Sequence, residues 1–127
     1  MLIRAKHDGY RAAGVIHERK IEFEKPHRWI VTDIFHGTGR HELKIYYHVP
    51  PGHCQITAPD RAERCFEKFT LLFAASLPSP AEQATCSVQV ESMAYSRRFG
   101  SREMHPVVVV CADGVLPVKV VTRIEIQ

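Results

Sequence analysis

At 127 residues with 45% hydrophobic side chains, the chain has the length of one ordinary domain and enough apolar material for a real core. Its net charge of +3 is small, and the basic residues alternate with Glu and Asp instead of forming a block, which argues against a nucleic-acid partner. The apolar runs are short, the longest aliphatic one being Val107 to Cys111, so no membrane-spanning helix of about 20 residues is expected.

A mildly basic surface does suit an acidic polysaccharide, because sulfate and carboxylate respond to the same long-range field. Cys54, Cys65, Cys86 and Cys111 are too few and too widely spaced for a disulfide framework or a CxxC metal site. Cys86 and Cys111 lie in apolar stretches that suit buried free thiols, and one bridge among the four stays open. The start, Met1-Leu2-Ile3-Arg4-Ala5-Lys6, lacks the apolar core of a signal peptide.

From Val15 to Glu24 the sequence alternates, with Val15, His17, Arg19, Ile21 and Phe23 on one face and Glu18, Lys20, Glu22 and Glu24 on the other. After Lys25-Pro26-His27-Arg28 a second run, Trp29 to Phe35, resumes the pattern, and the two predict a hairpin. Gly37-Thr38-Gly39 makes the next turn. Glu42 to Val49 is a third strand with Leu43, Ile45, Tyr47 and Val49 on its apolar face, ended by Pro50-Pro51-Gly52.

Arg64 to Phe73 and Ala84 to Glu91 alternate again, and the prolines of Leu77-Pro78-Ser79-Pro80 place a loop between them. Pro106 to Cys111 and Leu116 to Ile126 are the last two strands, and Asp113-Gly114 between them predicts a hairpin turn. The expected fold is a single all-β domain over residues 1–127, an antiparallel β-sandwich of about seven or eight strands.

Three places carry residues suited to chemistry. His17, Asp33 and His48 fall on three successive strands, and these residue types suit zinc. Yet His48 lies on the Glu42, Lys44 and Tyr46 side of its strand, away from the apolar face, and no HxH or HxxxH pair supplies two ligands from one element. No metal or other cofactor is therefore expected. Arg19 and Asp33 face each other across the hairpin and read as a structural ion pair.

The stretch from Tyr95 to Glu103 combines aromatics with arginines beside a glycine. Tyr95, Arg97 and Arg98 are its candidate substrate-binding residues, because sugars stack on aromatic faces and acidic sugars fit arginine forks. No GxSxG elbow supports nucleophilic catalysis, and Gly37 and Gly39 precede a strand, not the helix that a phosphate-cradling loop requires. No catalytic residue is assigned.

Taken in order, His7-Asp8-Gly9-Tyr10, His17-Glu18-Arg19, Trp29 to Asp33, Gly37 to His41, Tyr47-His48-Val49-Pro50-Pro51-Gly52 and Tyr95 to Gly100 resemble the C-terminal part of bacterial heparinase II/III family proteins. The resemblance covers nearly the whole chain, from Lys6 onward. It implies a parent with a helical toroid followed by β-sandwich layers, periplasmic or secreted, that cleaves uronate-containing polysaccharides such as glycosaminoglycans by β-elimination. The proton-transfer residues of such lyases sit on the toroid, and their HxHxD and HN segments are not found in this chain. The Met1 start thus reads as a truncation, a split gene or a deliberately expressed fragment.

The resemblance implies a non-catalytic portion that supports the catalytic domain, with a free-standing carbohydrate-binding or assembly module as the alternative. Expected partners are an acidic polysaccharide and a toroid, on the same or a separate chain. A sandwich without its neighbouring layer is also expected to expose an apolar patch and open strand edges, which favours a homo-oligomer.

Overall fold

The computed structural model describes residues 14–78, 84–95 and 103–127. Among these residues nine strands form: β1 (Ile16–Glu24), β2 (Arg28–His36), β3 (Arg40–His48), β4 (Cys54–Ala58), β5 (Arg61–Cys65), β6 (Thr70–Ser76), β7 (Ala84–Tyr95), β8 (Glu103–Val115) and β9 (Val118–Ile126). They build two antiparallel sheets, one of six strands in the order β1-β2-β9-β6-β5-β4 and one of three in the order β3-β8-β7. The fold is an all-β sandwich. Alternation produces it: every second side chain in the middle of β2, β3, β6 and β9 is buried, and all of these except Asp33 and Thr122 are apolar.

The core lies between the sheets. Val31 and Phe35 from β2, Phe73 from β6 and Val118, Val120 and Ile124 from β9 meet Leu43, Ile45 and Tyr47 from β3 and Val108 and Val110 from β8. In β8 the whole run Val107, Val108, Val109 and Val110 is fully buried, as expected of a central strand covered on both faces.

Four expectations need correction. The count of seven or eight strands falls short of nine, because Arg64 to Phe73 is two strands and not one. The chain turns between β5 and β6, where the Phe66 and Phe69 rings stack at 4.5 Å. Strand β4 was not expected at all. Its residues Gln55, Ile56 and Thr57 are exposed at the edge of the larger sheet, so it shows no clear half-buried alternation.

The hairpin expected at Asp113-Gly114 does not form. Both residues lie inside β8, where Asp113 pairs with Glu42 on one side and Thr85 on the other, and Gly114 with His41 and Ala84. A strand with a ladder on each side cannot turn back there. The chain instead crosses to the other sheet at Leu116-Pro117, and Leu116 N donates to Gly39 O at 2.9 Å, tying this crossing to the one between β2 and β3.

Finally, Ile21 and Phe23 occupy the expected face of β1 but are 59% and 51% exposed. Six strands reach further than the three that cover them.

Candidate functional site

Asp33 and Thr122, two of the four buried polar residues, lie in one cluster with His17, Arg19 and Tyr47, while the other two, Arg64 and His105, lie apart from it. In the β1–β2 hairpin Arg19 lies directly opposite Asp33 and His17 opposite Phe35, so all four share the inner face of the larger sheet. The His17 ring stacks on Phe35 with centroids 4.5 Å apart and planes 10° from parallel. That stacking aims His17 Nε2 at Asp33 Oδ1, to which it donates at 2.5 Å. Arg19 Nε donates to the same oxygen at 2.7 Å, and Arg19 Nη2 to Oδ2 at 3.1 Å, closing a two-pronged contact.

The Asp33 side chain has no solvent exposure. Burial is the largest influence on its carboxyl and pushes the pKa up, yet the bonds from His17 and Arg19 and their charges together carry it below the usual carboxylate value. Asp33 is thus a carboxylate held by three N–H donors from two residues.

Across the core, the Tyr47 ring lies 5.7 Å from the Arg19 guanidinium carbon. Burial, then the nearby Asp33 charge, pushes the Tyr47 phenol up to about 12, so it stays protonated at neutral pH. The Thr122 hydroxyl lies close enough to moderate that shift, but among the described residues neither hydroxyl meets the distance and angle of a hydrogen bond. This cluster is internal: its donors and acceptors face one another and the core.

The structure brings His17 and Asp33 together and leaves His48 elsewhere. His48 stands on the outer face of the smaller sheet, where its Nδ1 shares a hydrogen bond of 2.9 Å with Nε2 of His105, which is 6% exposed. Among the described residues, no group of three His, Cys, Asp or Glu is arranged to hold a metal ion. Tyr95 ends β7 and its backbone pairs with Glu103, while its side chain, like Arg97 and Arg98, lies outside the described residues. The four cysteines are free thiols. Burial, with Cys111 and Asp60 adding to it, pushes Cys86 up to about 11, which leaves little thiolate.

Two features escaped the sequence reading. The His48–His105 contact depends on β3 pairing with β8, which no local pattern announces. The other is Arg64, 8% exposed, whose Nη2 donates to Pro51 O at 2.5 Å and Nε to Pro50 O at 3.4 Å, while Nη1 donates to Cys65 O. Its guanidinium also lies 4.0 Å from the centre of the Phe66 ring. Gly52, after two prolines, was the available signal that something packs closely there.

The model of the family described as "Heparinase II/III-like, C-terminal" matches residues 1–123. The chain belongs to that family. Its sandwich is similar to a solved heparinase III gene product, with a TM-score of 0.71 and 16% identity over 91% of this chain and 18% of that one. It is also similar to the heparan sulfate lyase HepC from Pedobacter heparinus, with a TM-score of 0.73 and 12% identity over 91% of this chain and 18% of the other. At those identities the likeness is one of fold. A search of curated proteins finds no match. The heparinase II/III-like chain therefore spans less than a fifth of the solved lyases that share its fold.

Proposed function

We propose that residues 1–127 form one non-catalytic C-terminal β-sandwich portion of a heparinase II/III-like polysaccharide lyase, which supports the catalytic domain and contacts the acidic polysaccharide. The observation that carries this reading is the family match over residues 1–123 in a chain that corresponds to only 18% of the solved lyases of like fold. The parent reaction is β-elimination from a uronate-containing chain, which needs a base for the C5 proton, a group to neutralise the carboxylate and an acid for the leaving oxygen.

The cluster at Asp33 suits none of these tasks. His17 and Arg19 direct their donors at a carboxylate with no solvent exposure, and the Tyr47 phenol beside them is fully buried. The segment between β7 and β8, with Arg97 and Arg98, retains the residue types that grip sulfate and carboxylate.

The test has two arms. The purified chain is incubated with heparin, heparan sulfate, chondroitin and alginate, and unsaturated uronate is followed by its ultraviolet absorbance. No product is expected, while calorimetry at low salt detects binding to at least one of these polymers. A concentration-dependent release of product that a substitution in this chain abolishes would overturn the non-catalytic reading, and absence of binding to all four would overturn substrate contact.

A further inference from the structure

Among the described residues, β1 forms one edge of the six-stranded sheet, with its far side not paired to another strand. It is a regular nine-residue strand without proline, glycine or bulge, which is how an open edge invites a second strand. The side chains along it are not a generic solvated face. Ile21 and Phe23 stand exposed on the inner side, and on the outer side Lys20 and Glu22 already attract each other, Nζ to Oε1 at 2.7 Å.

We infer that this edge is the interface between two copies of the chain, with β1 pairing antiparallel to β1 about a two-fold axis through Ile21. The register follows from which residues face each other. A two-fold axis perpendicular to the sheet must pass through a residue, so that side chains opposite one another share a face.

An axis at Lys20 would set lysine against lysine and Glu18 against Glu22. One at Arg19 would oppose the two arginines and set Ile21 against His17 instead of its copy, and one at Glu22 would oppose two carboxylates. An axis at Ile21 places Ile21 against its copy and Lys20 against Glu22 of the second copy, twice by symmetry. Arg19 then lies opposite Phe23 of the second copy, so no like charges meet there, and its guanidinium stays on Asp33.

The like pair this register also creates, Glu18 with Glu24, lies toward the two ends of the ladder, where each carboxylate keeps a polar contact within its own chain. Glu18 bonds His36 at 2.9 Å, and Glu24 lies 3.8 Å from Arg28. The exposed Ile21 and Phe23 of both copies become one continuous apolar strip on the inner side, and the two six-stranded sheets continue into each other.

Sedimentation velocity on the chain and three variants tests this. The unaltered chain should dimerise with rising concentration. Lys20→Glu alone and Glu22→Lys alone should each weaken the dimer at least about tenfold, because each turns two attractive cross-strand pairs into repulsive ones. An equal mixture of the two single variants should recover the association as a heterodimer, and the double swap Lys20→Glu with Glu22→Lys should recover it in one chain. Circular dichroism checks that these exposed substitutions leave the fold intact. A chain that stays monomeric at every concentration, a dimer indifferent to either single swap, or a mixture no tighter than its components would each overturn the proposal.

Discussion

Gly52 has no side chain because Arg64 occupies the place where one would stand: a Cβ at Gly52 would collide with the Arg64 guanidinium. Its φ of +145° is also one that side chains rarely tolerate. The Pro50-Pro51-Gly52 turn and Arg64 are therefore one device, in which the turn presents two carbonyls and Arg64 takes both.

Arg64→Ala should lower stability by about 2–4 kcal/mol, since it removes buried bonds from a charged donor and leaves carbonyls unpaired. Gly52→Ala should cost about 1–3 kcal/mol through backbone strain and collision. Because loss of the guanidinium makes room for the methyl group, the double variant should lose less than the sum of the two. Urea unfolding of the four proteins checks this, and simple additivity would separate the two residues.

Acid should loosen the sandwich through Asp33. Its folded pKa lies below the unfolded value of about 3.9, so the stability it contributes is fully present above that value. That contribution is lost as pH falls through the folded pKa. Asp33→Ala should destabilise by about 3–5 kcal/mol, because His17 and Arg19 lose a shared partner in the interior. Asp33→Asn should be less stable than the parent at neutral pH and flatter in its dependence below about pH 4. Thermal unfolding between acid and neutral pH compares them.

Tyr47→Phe should be neutral or stabilising by up to about 1 kcal/mol, since it deletes a buried hydroxyl that no hydrogen bond compensates among the described residues. Thr122→Val should behave alike for the same reason. At high pH the sign reverses for the parent: unfolded tyrosine ionises near pH 10, about two units before Tyr47 does, so stability declines above that point. The phenylalanine variant should lose that part of the alkaline decline in a denaturation series.

Replacing Arg97 and Arg98 together with alanine should weaken binding to an acidic polysaccharide at least about tenfold, with added salt shrinking the difference. Titration calorimetry at two salt concentrations measures it. Equal binding by the double variant would remove the segment from the contact surface.

Much of the fold was legible because alternation is local. The β1–β2 hairpin, the apolar face of β3 and the inner face of β9 follow from period-two patterning alone. The sheets' partnership was not. Asp113-Gly114 looks like a hairpin turn to any local rule, yet the ladders on both sides of β8 hold it straight. Nor can alternation tell how wide each sheet is, which is why Ile21 and Phe23 look like core residues in the sequence and stand in solvent in the structure.

At the Asp33 cluster the facing of Arg19 and Asp33 came from the strand pattern. The part played by Tyr47 did not, because it arrives from the opposite sheet. His48 carries the opposite lesson, since its side of β3 was readable and already separated it from His17.

The order of strands in the larger sheet has a consequence for how the chain is made. Strand β9 lies between β2 and β6 and is, among the described residues, the only hydrogen-bonded link between the β1–β2 pair and the β4–β5–β6 group, yet it comes latest of the nine strands in the chain. During synthesis the two halves emerge early and must wait, each with an unpaired strand, until Val118–Ile126 leaves the ribosome and is inserted between them. A premature stop before Val118 would therefore not trim the sheet at its border but split it through its middle.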